Sequence, residues 1–225
     1  MSRDSMEAAA RALPGLLAER PDLFRLLLSF HFRPADYLHP TRRAQFAAGG
    51  MREEVWDAAR ARNPLSRFIL AELGLEEEVC FDLGRPEWPV ALLDAQRLLR
   101  LARHIGAVLL APGLRGSLAR HQVLAWKAAL TPEAYRFALT SASLLRPAGP
   151  VLLPGTDHPP EAIGYAWIDA SLEQAPPALA KRARLKLPEP LQAPETSSET
   201  ARQLVNLTHS ALEPAWFSSF AALRR

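Results

Sequence analysis

The side chains of this 225-residue chain that could carry chemistry are six histidines, one cysteine, and a scatter of serines and acids. The histidines His31, His39, His104, His121, His158 and His209 show no ligand spacing and no H-E-x-x-H, so nothing proposes a metal. His31 and His39 are near neighbours, but Pro34 between them puts them on different elements. Cys80 lies in the apolar run Val79-Cys80-Phe81, the setting of an inert buried thiol and not of a nucleophile. As the single cysteine it excludes an internal disulfide or a cysteine zinc site, and it suits a reducing cytoplasm. Ser66, Ser141, Ser171 and Ser210 have no G-x-S-x-G around them, and Asp157-His158 sits in a Pro-rich loop with no matching serine. Neither G-x-G-x-x-G nor G-x-x-x-x-G-K-[ST] occurs. Carboxylates pair on paper in any such chain, and nothing selects one pair here. The sequence therefore predicts no catalytic, cofactor or metal site, and not an enzyme.

The most constrained stretch is Phe32-Arg33-Pro34-Ala35-Asp36-Tyr37-Leu38-His39-Pro40. Each proline pushes the residue before it towards extended backbone, so the segment holds at most one helical turn. Pro34 suits the first position of that turn, where its missing N–H is harmless. The result is a stiff elbow carrying Arg33, Tyr37 and His39. It reads either as a packing corner, with the Tyr37 ring buried and its hydroxyl bonded to backbone, or as a docking element.

Charge is segregated. Glu76, Glu77, Glu78, Asp82, Glu87 and Asp94 face only Arg85, whereas Ala95 to Pro132 contains no acid but six cations, Arg97, Arg100, Arg103, Arg115, Arg120 and Lys127. Net charge is only +3, so layout matters more than sum. The two stretches mark a binding face, pair with each other, or are simply solvated. Nucleic-acid binding is the alternative chemistry, through the Arg97/Arg100/Arg103 face and the run Lys181-Arg182-Ala183-Arg184-Leu185-Lys186. No reading module accompanies those cations, so a protein-docking face is the preferred interpretation. Trp88, in Pro86-Glu87-Trp88-Pro89, is either an interface anchor or a loop clamp onto the core.

Those residues must be positioned by helices. The chain is 48% hydrophobic and 23% charged, with 20 prolines that cut helical patterns into pieces. Apolar periodicity predicts helices from Pro21 to before Pro34, from Met51 to Ala61, and from Pro64 to a stop at Gly74. A long helix is expected over Val90 to Ala111, ended by Pro112-Gly113, with Arg97, Arg100 and His104 opposite its apolar face and Arg103 beside them. Further helices are expected from Leu114 to Leu130, from a Thr131-Pro132-Glu133 start to Leu145, from Pro160 to Glu173, from Pro177 to Arg184, and from Thr200 to Phe220 with a break at Pro214. Leu185 to Pro188 reads as a short strand or extended arm, and Glu189 to Thr200 as a polar linker. The fold class is mainly α: a compact, multi-helix, proline-punctuated fold with little or no β structure. The expected organisation is an extension over residues 1–20, a main helical body over 21–145, a loop over 146–160, and a helical part over 161–225 packing on the body as one domain. No apolar run reaches the roughly 18 residues of a membrane span, and Met1 to Glu7, with two acids, is not a secretory signal.

Three separated features resemble one family. Pro34-Ala35-Asp36-Tyr37-Leu38-His39 is the first, and Lys181-Arg182-Ala183-Arg184-Leu185-Lys186-Leu187-Pro188 the second. The amphipathic Leu204 to Phe220 ending is the third, and the leucine- and arginine-rich helix around Leu92 to Leu110 agrees in character and position. Together, from about residue 23 onward, they resemble the SctK family, of the YscK and PscK type, accessory proteins of the type III secretion injectisome. The resemblance implies a mainly α, non-enzymatic adaptor of the sorting platform, located in the bacterial cytoplasm at the injectisome base, peripheral to the inner membrane and not inserted in it. It implies that the adaptor links the cytoplasmic domain of the inner-membrane ring protein (SctD-like) to the C-ring-like pod protein (SctQ-like), and through it to the stator (SctL-like) and ATPase (SctN-like), with no cofactor and no nucleic-acid partner. The surfaces expected to meet those partners are the elbow, with Arg33, Tyr37 and His39, then Trp88, and the Arg97/Arg100/Arg103 face.

Overall fold

The computed structural model describes residues 14–47, 52–117, 119–145 and 158–221. Most of the expected extension, most of the 146–160 loop with Asp157, and Met51 at an expected helix start lie outside those residues. Among the described residues every regular element is helical and no strand occurs, in agreement with the mainly α expectation. The α-helices are α1 (residues 14–19), α2 (Pro21–Phe32), α3 (Arg43–Phe46), α4 (Glu53–Asp57), α5 (Arg62–Glu72), α6 (Trp88–Ala91), α7 (Ala95–Gly116), α8 (Arg120–Ala129), α9 (Pro132–Leu145), α10 (Pro160–Ser171), α11 (Pro177–Arg184), α12 (Ser198–Leu212) and α13 (Pro214–Ala221). Proline opens six of them, where its fixed φ fits and no N–H is needed.

The chain divides into two compact units: Met1–Leu92 with Ala175–Glu189 and Phe220–Arg225, and Leu93–Gln174 with Pro190–Ser219. In the first, α2 and α5 are bridged by the elbow, whose Pro34–Asp36 segment is a 3₁₀ turn. Leu38, Phe46, Trp56, Leu65, Ile69 and Leu185 form a core there, with Tyr37 packed against it. Gly74 ends α5, as expected. At φ 63° it is left-handed, and it donates to the Ala71 carbonyl while Leu75 donates back to Leu70 (3.0 and 2.8 Å). These are the two bonds of a Schellman stop, with Leu75 fully buried behind them.

In the second unit α7 is central, and α9, α10 and α12 pack on it. The α7–α10 crossing is set by space. A Cβ on Gly106 would lie 1.9 Å from the Pro160 carbonyl oxygen, and one on Gly164 would lie 1.8 Å from that of Ala102. Each helix therefore presents a glycine to the other's backbone, and no side chain fits between them.

Three expectations are corrected. The long helix over Val90 to Ala111 is two helices, because Asp94 caps α7 by accepting from the Arg97 N–H at 2.9 Å. Pro112 does not end it; α7 continues to Gly116. One lost hydrogen bond near a helix end is offset by burying Leu110, Ala111 and Leu114. The next helix accordingly starts late, at Arg120. Leu185 to Pro188 is neither strand nor extended arm. It is a turn in which Leu185, Lys186 and Leu187 donate to the Arg182, Ala183 and Arg184 carbonyls. The Thr131 cap is as expected, accepting from the Ala134 N–H at 3.2 Å.

Gly164→Ala should lower unfolding free energy by at least about 3 kcal/mol, the upper range for overpacking. Gly116→Ala, at a helical site with nothing near its Cβ position, should be neutral or stabilise by up to about 1 kcal/mol. Urea denaturation of the two variants against the parent measures both.

Candidate functional site

The elbow is held from both sides. The Tyr37 hydroxyl donates to the Phe30 carbonyl at 2.6 Å and its ring stacks on Phe30, as expected for a packing corner. Burial, the main cause, holds its phenol pKa well above the ordinary value. The His39 backbone N–H donates to the Leu185 carbonyl at 2.8 Å, and Nδ1 accepts from the Thr41 N–H at 3.3 Å, capping a second 3₁₀ turn, Pro40–Arg42. Arg42 Nε donates to the Leu187 carbonyl at 2.7 Å. Arg33 points outward, its side chain 51% exposed and bonded to Asp36 at 2.9 Å. Trp88 is a correction: it is fully buried, its indole N–H donates to the Asp82 carbonyl at 2.7 Å, and its ring meets Phe30 and His31 edge-on. It clamps its loop onto the core and offers no anchor to a partner.

The basic run of residues 181–186 has a role the sequence did not reveal. Arg182 is 1% exposed. Its Nε donates to the His31 carbonyl (3.2 Å), Nη1 to Ala178 (3.0 Å) and Nη2 to Leu75 (2.8 Å). Lys181 Nζ reaches the Leu73 carbonyl at 3.0 Å. Lys186 Nζ reaches Ala91 at 2.6 Å and lies over the Phe30 and Tyr37 rings. The carbonyls of His31, Leu73 and Ala91 belong to the ends of α2, α5 and α6, where unpaired backbone oxygens carry the negative pole of the helix dipole. A run that reads as a phosphate clamp is a set of staples for helix C-termini.

The arginine face is neutralised within its own unit. Arg97 bonds Glu213 through Nε at 2.9 Å and through Nη2, and it stacks on the Trp216 ring at 4.3 Å. Arg100 bonds Glu133, and Arg103 lies 3.8 Å from Glu161. The Glu133 and Glu213 carboxyls are held below the usual range, first by their arginine hydrogen bonds. His104 is corrected: it is buried, with Nδ1 bonded to the Arg100 carbonyl at 2.7 Å and its ring edge-on to Phe137, because α9 covers that side of α7. Only long-range acids complete these pairs, 116 positions away for Arg97 and 33 for Arg100. No local pattern announces them. Arg33, Tyr37, His39 and Trp88 thus belong to the first unit, and Arg97, Arg100 and Arg103 to the second.

A groove of about 590 Å³ runs between α10 and residues 190–195, walled by Ile163, Ala166, Trp167 and Leu191. His158 and Glu195 are the ionisable groups on its rim. Among the described residues no three His, Cys, Asp or Glu gather as metal ligands, and no helix is long and apolar enough to cross a membrane. Cys80 is buried and its thiol is pushed up, chiefly by burial.

A family model described as YOP proteins translocation protein K (YscK) matches residues 27–212. The chain belongs to the YscK family. The match takes in the elbow, the arginine helix α7, the stapling run and α12. Curated proteins and solved structures give no match. As a member of the YscK (SctK) family it is a type III secretion protein, of an accessory family that is not a known enzyme family.

Two predictions concern stability. Arg182→Met should cost more than about 2 kcal/mol, since the buried His31 and Leu75 carbonyls lose a charged donor. Arg182→Lys should recover only part of that, because an ammonium cannot span the same fork. Chemical denaturation reads both. The second prediction is acid sensitivity. Burial lowers the His31 pKa to about 3 and that of His209 to about 4. Their unfolded value is near 6.5, so the unfolded state binds more protons. Stability is full above about pH 6.5 and falls as pH drops, by up to about 1.36 kcal/mol per unit for each histidine, until the folded pKa is reached. The His209 ring nitrogens make no hydrogen bond, so His209→Leu should flatten the curve between pH 6.5 and 4, as followed by urea midpoints across pH.

Proposed function

We propose that this YscK-family protein is a non-enzymatic adaptor of the type III secretion sorting platform. It joins the cytoplasmic domain of the inner-membrane ring protein (SctD-like) to the pod protein (SctQ-like), and through that to the stator and ATPase, in the bacterial cytoplasm at the injectisome base. The family match over residues 27–212 carries the reading. The geometry supports it. Cations that could serve a diffuse electrostatic surface are used to lock helices in place within each unit, as an adaptor requires if each docking surface is to keep its shape. The nucleic-acid reading also needs the 181–186 run for phosphates, yet Arg182 is buried and Lys181 and Lys186 hold backbone carbonyls.

We assign the solvent side of the elbow, at Arg33 and His39, and the rim of the arginine face, at Arg100 and Arg103, to the two partners. Tyr37 and Trp88 support the first surface from beneath. Purified protein should form a ternary complex with the ring protein's cytoplasmic domain and the pod protein in size-exclusion chromatography; binding neither one would refute the adaptor. Arg33→Glu and Arg100→Glu should each weaken one partner tenfold or more by calorimetry. Their melting temperatures should barely move, because exposed pairs contribute only about 0.2–1 kcal/mol. Wild-type affinity for both partners in both variants would sink the surface assignment.

A further inference from the structure

Ile163, Ala166 and Trp167 recur at the i, i+3, i+4 spacing of one helix face, and they floor the groove of about 590 Å³ beside α10. All three are buried, Trp167 to 2% exposure. A buried tryptophan normally gives its indole N–H to an acceptor, as Trp88 does to the Asp82 carbonyl. The Trp167 N–H has no acceptor among the described residues, and its nitrogen keeps access to solvent. The facing wall is main chain. Pro190 and Pro194 bracket Leu191, Gln192 and Ala193, whose backbone N–H and C=O groups make no hydrogen bond among the described residues. Leu191 is half-buried, and Gln192 and Ala193 are exposed. The groove thus joins an apolar floor, one unpaired indole donor and a wall of unpaired backbone.

We propose that this groove docks an extended, aliphatic segment of a partner protein, a few residues long. One of its main-chain carbonyls accepts from the Trp167 indole, its backbone pairs with Leu191 to Ala193, and its side chains cover Ile163 and Ala166. This rests on the adaptor reading above and adds an attachment point to it. Hydrogen-bond complementarity chooses the occupant. The floor needs an acceptor, and the wall needs donors and acceptors together. An extended segment has both free, so main-chain pairing gives affinity and side-chain pockets give specificity. A docking helix has spent its carbonyls on its own ladder. A second copy of the chain offers only helices, because every large apolar side chain that the described residues expose, such as Leu139, Leu144 and Leu207, stands on one. A lipid surface takes a projecting apolar face, and this floor is recessed. The volume falls within the roughly 300–1,000 Å³ of sites that enclose a small ligand, which suits a few residues of peptide.

The test uses full-length protein, with the ring protein's cytoplasmic domain and the pod protein as probes. Ala162→Arg, at a half-buried position lining the groove, blocks it. Trp167→Phe keeps a ring and removes the donor. By calorimetry Ala162→Arg should weaken one partner tenfold or more and leave the other unchanged, with an unaltered melting temperature. Trp167→Phe should weaken the same partner about two- to tenfold, as loss of one neutral hydrogen bond does. In nitrogen-15-labelled parent protein the Trp167 indole resonance, assigned by its loss in Trp167→Phe, should move downfield with that partner and stay in place with the other. Parent binding to both partners, with Ala162→Arg unaffected and the resonance unmoved, overturns this surface and leaves the adaptor intact. Parent binding to neither overturns the adaptor and this assignment together. Peptide fragments of the responding partner then locate the segment, and a fragment that binds as a helix by circular dichroism overturns the extended occupant. If Leu152→Asp/Leu153→Asp, outside the described residues, moves the indole resonance of the free protein, the chain fills its own groove. A dimer abolished by Ala162→Arg would assign the groove to a second copy. Each of these also overturns the proposal.

Discussion

A buried guanidinium whose bonds, among the described residues, all go to backbone carbonyls organises the first unit. Taking an ion out of water is costly by several kcal/mol, and a single neutral acceptor cannot offset that. Arg182 meets the demand with three carbonyls. Carbonyls free to accept occur mainly at helix C-termini and tight stops. The last turn of α2 and the Gly74 stop after α5 must therefore converge on one point, and α11 must stand where its side chain reaches both. Lys181 and Lys186 repeat the arrangement at Leu73 and Ala91. The elbow follows from this. Its His39 N–H and the Arg42 side chain close onto the Leu185 and Leu187 carbonyls of the turn that carries the lysine. Tyr37 and Phe30 then stack under the Lys186 ammonium, where cation–π attraction adds to the hydrogen bond.

The second unit rests on a different constraint, the absence of side chains. Gly106 and Gly164 let α7 and α10 approach backbone to backbone. That contact fixes α10 on one side of α7, while α9 packs on another part of its surface and covers His104. Arg97, Arg100 and Arg103 of α7 are left at the margins of these packed helices. There each finds a glutamate from a different segment: Glu213 after α12, Glu133 in the first turn of α9, and Glu161 in the first turn of α10. Partly exposed pairs of this kind add little stability. What they supply is orientation, since a guanidinium bonded to a carboxylate and stacked on Trp216 is held in one geometry.

The helical architecture was legible in the sequence because proline and capping chemistry are local. Pro21, Pro132, Pro160, Pro177 and Pro214 start helices, Gly74 stops one, and Thr131 caps another. The long arginine helix was misread at both ends for a common reason. Asp94 acts as a cap by a side-chain bond that composition does not announce, and Pro112 is overridden by the burial of Leu110 and Leu114. The family could be recognised because its motifs are the structural ones. The elbow and the stapling run are bonded to each other within the first unit, the His39 N–H to the Leu185 carbonyl. The character of the site was less legible. Periodicity put His104 on the polar side of α7, but a helix packed on several sides has little polar side left. Nothing within a dozen residues of Arg97 points to Glu213. Trp88 lies in a polar stretch, yet its loop folds inward over Phe30.

Segregated charge can therefore serve two ends in one chain, and burial decides which. In residues 181–186 Arg182 is buried and Lys181 and Lys186 reach backbone carbonyls, so their charge is met by the backbone. Along Arg97, Arg100 and Arg103 it is consumed by carboxylates at the margins of packed helices. Further along the same acid-free stretch, Arg120 and Lys127 stand on a helix that buries nothing; neither has a carboxylate partner among the described residues, and Lys127 lies over the Tyr135 ring. On the proposed adaptor reading this gradient has a use. Cations that hold helices fix the surface around them within each unit, and the half-exposed ones, such as Arg100 and Arg103, still face solvent. If every arginine were free, the surface would attract any polyanion; if all were paired, little long-range steering would remain.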